Sequence, residues 1–213
     1  MGREAERVAA GGERAVGAAG EDRARTLRTL AQSRSDHPDA RRLLREYATT
    51  HEDVWFRVGA LRALTACARE EHGTWELVRE LLAADPNATV RHHALLLWAG
   101  RGPGDAEAAQ VLAPRVTEDP EPGFRFSALR WWAVYDSGEA PAAAARDRAA
   151  LDPEGRVRTA ALRLLAFGWP SHPDTVPFLR GRVEAERDEG VRAAATDAVR
   201  VAEALAPLAG QVP

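Results

Sequence analysis

Arginine recurs along this chain at a nearly fixed interval. It stands at Arg23, Arg57, Arg91, Arg125, Arg158 and Arg192, with gaps of 34, 34, 34, 33 and 34 residues. A period in this range marks an array of stacked units, none of which can bury its apolar face alone. The neighbouring columns define the unit. Just before the arginine stand Phe56, Val90, Phe124, Val157 and Val191. Three residues after it come Ala60, Ala94, Ala128, Ala161 and Ala195, and four after it Leu61, Leu95, Leu129 and Leu162. Seven after it come Leu64, Trp98, Trp132, Leu165 and Val199. These offsets fall on one stripe of an α-helix, so each arginine opens the buried face of a first helix.

A second helix is read by counting back from the next arginine. Leu44, Val78, Leu112, Ala145 and Leu179 stand thirteen before it, and Ala48, Leu82, Val116, Ala149 and Val183 nine before it. Asp85-Pro86, Asp119-Pro120 and Asp152-Pro153 precede their arginines by six residues and are expected to cap the first helix. Gly73, Gly102-Pro103-Gly104, Gly138 and Gly168-Trp169-Pro170 break the chain between first and second helix. No stretch alternates with period two, and isoleucine is absent. The expected fold is all-α, an α-solenoid of about five to six helical hairpins over residues 21–206. Residues 1–20 are expected to be a flexible or capping segment and residues 207–213 a tail.

The string Asp-x-x-x-x-Val-Arg-x-x-Ala-Leu-x-x-Leu, best seen from Asp152 to Leu165, resembles the short bacterial HEAT-like repeats found in phycobilin lyases. A period of 34 also fits tetratricopeptide repeats, which expect Trp, Gly and Tyr early in the first helix rather than a Val-Arg pair. Gly168-Trp169-Pro170, with Pro173, Thr175 and Leu179, is similar to joints in the HEAT arrays of actinobacterial NACHT-type ATPases, where the array is thought to be the sensor part. All 29 basic residues here are arginine. A phosphate-binding loop needs its lysine, so an ATPase would be a separate chain.

The resemblance implies that the second helices line the concave surface. On them Arg45, Arg79, Arg146 and Arg180 form a column, flanked by Glu46, Glu80 and Asp147. This mixed strip, extended to Trp75, is the expected contact face for a protein partner. The Trp131–Tyr135 ridge, with its two aromatics four residues apart, is the other candidate. The sequence also carries Trp131-Trp132-Ala133-Val134-Tyr135-Asp136-Ser137. It is similar to a segment of HEAT-like alkylpurine DNA glycosylases, which implies lesion contacts by Trp132 and Asp136.

Composition bears on these alternatives. The formal charge is −3, against the basic balance usual in nucleic-acid binders. Cys67 is alone, so no internal disulfide forms. The histidines show no His-x-x-x-His pair, so no metal site is expected, and no cofactor motif or nucleophile elbow occurs. Arg3 and Arg7 are not followed by an apolar run, and no stretch approaches a membrane span. The expectation is a cytoplasmic, monomeric, bacterial scaffold that binds a protein and performs no chemistry, with the glycosylase or another DNA-binding protein as the alternative.

Overall fold

The computed structural model describes residues 38–101 and 107–209. The first arginine, Arg23, and the expected segment 1–20 lie outside the described residues. Among the described residues the chain is helical throughout, and its contacts divide it into two units, residues 1–101 and 102–213. The first unit holds α1 (Pro38–Thr50), α2 (Val54–Cys67), α3 (His72–Ala84) and α4 (Ala88–Ala99). The second holds α5 (Ala108–Glu118), α6 (Pro122–Tyr135), α7 (Glu139–Leu151), α8 (Gly155–Gly168), α9 (Thr175–Ala185) and α10 (Glu189–Ala209). The even-numbered helices are those that carry the periodic arginines.

Adjacent helices pack as in a helical-repeat solenoid. Odd helices pack closely on the even helix that follows: α1 with α2, α3 with α4, α5 with α6, α7 with α8, and α9 with α10, the last even helix packing equally closely on α8. The packed hairpin is therefore shifted by one helix from the unit read in sequence. Its core is the set of periodic columns. Ala60, Leu61, Ala94, Leu95, Ala128, Leu129, Ala161 and Leu162 are fully buried, as are Val78, Leu112, Ala145 and Leu179 from the odd helices. Removal of this much apolar surface from water is the main favourable term in the fold.

The alanine column has a second effect. With only a methyl group at that position, neighbouring even helices can approach closely, and α2 packs on α4, α6 on α8, and α8 on α10. The odd helices touch far less: α5 meets α7 only lightly. Within the second unit the arginine-bearing row is thus the more closely packed.

The turns also differ from expectation. Each even helix begins three residues before its arginine, at Val54, Ala88, Pro122, Gly155 and Glu189. Asp85, Asp119 and Asp152 are therefore not its caps; they are the extended residues that end the preceding helix. Capping falls to the residue four before the arginine. Asp53 accepts from the Trp55 and Phe56 amides, Asn87 from Thr89 and Glu121 from Gly123. The aspartates instead close Asx-type turns. One oxygen of Asp85, Asp119 and Asp152 accepts the amide two residues on, at 2.9, 2.9 and 3.0 Å. The proline between has no N–H, so the turn leaves no donor without a partner.

Candidate functional site

The arginine column is the most polar feature of the repeat, and its side chains are engaged inside the structure. Arg125 bonds Asp152 through Nε at 2.9 Å and Nη2 at 2.7 Å. Its Nη1 donates to the Asp119 and Pro120 carbonyls at 3.0 and 3.4 Å. Arg158 repeats the pattern. It forks onto Glu186 at 3.0 and 3.1 Å and reaches the Asp152 and Pro153 carbonyls at 3.0 and 3.2 Å. In the first unit Arg57 pairs with Asp85, and Arg91 Nη1 donates to the Asp85 and Pro86 carbonyls at 2.9 and 3.3 Å. Arg192 donates to the Glu186 carbonyl at 3.2 Å. The planar guanidinium suits this work because its fork can meet a carboxylate while its third nitrogen serves backbone oxygens.

The electrostatics follow from these contacts. Burial pushes the Glu186 carboxyl up, but hydrogen bonds from Arg158, the Asp188 amide and Arg182 outweigh it and hold the group at about 2. Asp152 is likewise raised by burial and brought below the ordinary carboxylate range by Arg125, the Glu154 amide and the nearby charge of Arg148. Such perturbed carboxylates often mark catalysis. Here each is locked against arginine in a buried turn. The column is structural.

The odd-helix strip is uneven. Arg45 is engaged at the α2–α3 joint: it donates to the Gly73 carbonyl at 2.7 Å and to Glu71 and Thr74 at 3.2 Å each. Arg146 pairs with Glu139, and Arg180 with Glu203 at 2.6 Å. Arg79 is exposed. Trp75 is half-buried, its Nε1 donating to the Arg69 carbonyl at 2.7 Å. Trp131 and Tyr135 are both half-buried on α6, and Arg130 lies over the Trp131 ring at 5.6 Å. Trp132 is 9% exposed and faces the packed side. Asp136 ends α6, and its Oδ1 accepts the Gly138 amide at 2.8 Å. The pair implied by the glycosylase likeness is thus divided between core and turn.

A different column was missed. Five residues after the anchors stand Arg62, Leu96, Arg130 and Arg163, and nine after them Val134 and Phe167. All six are exposed, although Leu96, Val134 and Phe167 are large and apolar, at 45%, 55% and 64%. Offsets of five and nine share one helical face, opposite the buried stripe. No described carboxylate pairs with Arg62, Arg130 or Arg163. The signal was present in sequence as a column of three arginines and one leucine, which Asp197 breaks after the last anchor.

No group of three or more His, Cys, Asp or Glu among the described residues could hold a metal ion. No described helix is long and apolar enough to cross a membrane. Stacked helical pairs with a recurrent arginine–acid joint define a helical-repeat protein. Within that class, residues 15–98 match the family model described as HEAT repeats. The columns of that stretch continue to Val199. No curated protein and no solved structure matches the chain.

Proposed function

We propose that this chain is a non-catalytic protein-binding module that meets its partner through the exposed face of the even helices. HEAT repeats suggest a scaffold or protein-binding role. The observation that carries the finer reading is the column of exposed arginines and large apolar side chains at Arg62, Leu96, Arg130, Val134, Arg163 and Phe167. Arginine and aromatic residues contribute disproportionately once buried in a complex, and contiguous exposed apolar side chains mark interaction surfaces. The odd-helix arginines are less suited, because Arg45, Arg146 and Arg180 already hold acids of their own chain.

Two charge-reversed variants separate the faces. R130E/R163E alters the even helices of the second unit; R79E/R146E alters the odd row. Affinity capture from host lysate, read by quantitative mass spectrometry, should lose the specific partner with the first variant and retain it with the second. The opposite pattern would move the contact to the odd helices. Excision of an alkylated base from duplex DNA, abolished by Asp136→Asn, would replace the binding reading with an enzymatic one.

A further inference from the structure

The first unit differs from the second on this same face. Between α2 and α4 lies an open cleft of about 410 Å³, lined by Arg62, Ala66 and Arg69 on one side and Leu96 and Leu97 on the other, with Trp75 closing one end. The opening has a sequence cause. Two residues after the anchor stands Gly59, and nine after it Ala66 and Gly100. In the second unit those offsets carry Ser127 and Ala160, then Val134 and Phe167. The side chains at those positions are larger there.

The lining contains two guanidinium groups and no carboxylate. Arg62 has no described polar partner, and Arg69 makes only a long 3.4 Å bond to the Gly100 carbonyl. Glu71, two residues from Arg69, is held by Arg41 and Arg45. The wall is rigid: Trp75 is fixed by its bond to the Arg69 carbonyl and meets Trp98 edge-on at 6.5 Å. Arg101 lies over both rings, at 5.1 and 4.7 Å.

We infer that this cleft is a docking site for an acidic linear peptide segment of a partner protein that carries one aliphatic side chain. Carboxylates match the unpaired guanidinium forks in charge and in planar geometry. The aliphatic group covers Leu96, Leu97 and the Trp75 ring, removing their exposed apolar surface from water. The volume accommodates a few residues, at the lower end of small-ligand sites. A nucleic acid fits less well, because phosphate recognition gains its strength from an extended basic track and this chain is net acidic. The inference rests on the protein-binding reading above, and assigns the even face of the first unit a ligand class.

The test is fluorescence anisotropy with the full chain and a labelled peptide of about ten Asp and Glu residues around one central leucine. The expected result is saturable binding, weakened about tenfold or more by R62E/R69E, and weakened again when serine replaces the leucine. R79E/R146E should leave it within about twofold, since those residues lie on the odd helices. R62Q/R69Q serves if the reversed variant has a lower thermal midpoint. Binding absent at millimolar peptide, unchanged in R62Q/R69Q, or weaker than that of a labelled oligothymidylate overturns the inference. If the peptide fails while R130E/R163E still loses the captured partner, the cleft assignment is wrong and the protein-binding reading stands. If both fail, neither stands.

Discussion

Arg57 and Arg125 occupy the same column but sit in different joints. Before Arg125 the chain reads Asp119-Pro120-Glu121, and before Arg57 it reads His51-Glu52-Asp53. The Asp-Pro turn offers Arg125 two carbonyls, and its Nε and Nη2 are left to fork onto Asp152. Arg57 has no such turn. Its Nε goes to the Ala48 carbonyl at 3.2 Å, and one nitrogen pairs with Asp85. Donation to the Asp152 carboxylate raises the Arg125 pKa, whereas burial lowers that of Arg57. His51 imitates only half of the aspartate. Its Nδ1 accepts the Asp53 amide at 3.1 Å, as an Asp oxygen would, and its ring stacks on Phe56 at 4.2 Å. It has no second oxygen for a neighbouring repeat. The complete joint thus uses a carboxylate whose two oxygens together serve its own turn and the arginine of the unit before.

The largest expected effect is at the complete joint. Arg125→Ala strands a fully buried carboxylate and two carbonyls, and should cost about 3–5 kcal/mol. Arg57→Ala should cost less, about 1–3 kcal/mol, since one carbonyl contact and a one-nitrogen contact to Asp85 are lost rather than a fork and two carbonyls. Urea unfolding followed by circular dichroism compares them; equal costs would remove the distinction between the two turns.

Acid should weaken the joints at Asp152 and Glu186. Both carboxyls sit below their ordinary pKa, so the unfolded chain binds protons more readily than the folded one. Their contribution is complete above the unfolded value and is lost as pH falls from about 5 through about 2. Thermal midpoints across that range should decline, and Glu186→Gln should flatten the decline. A parallel decline in the variant would assign the acid sensitivity to other groups.

Pro153→Ala should have the smallest effect, about 0.4–1 kcal/mol, mostly from the freer unfolded chain. Its carbonyl, which serves Arg158, remains. A cost near that of Arg125→Ala would mean that the proline ring itself organises the turn.

Much of the fold could be read in the columns, because a buried position repeated five times is a strong constraint. Trp98 and Trp132 fell on the seventh-residue column and are buried. Trp169 was read as a joint residue, and its Nε1 donates to the Ser137 carbonyl at 2.7 Å. The double duty of the aspartates was not legible. An Asp-Pro before a helix has the appearance of a cap, and only the position of the preceding helix end reveals the turn. Nor could sequence show which odd-row arginines were engaged. Glu71 and Glu203 lie well away in sequence from Arg45 and Arg180, and their meeting depends on stacking. The exposed even-helix column was available, but its meaning depends on which row is packed and which side is bare.

The joint also bears on how such a chain could lengthen. The repeats of the second unit carry a donor at one edge and a matching acceptor at the other, as Arg125 with Asp152 and Arg158 with Glu186 show. A tandem duplication of one period in the coding DNA would bring both halves to each new boundary. No charge would be orphaned, and no new contact would have to be invented. Array length can then drift by whole periods under mutation, while the surface displayed by each copy diverges separately.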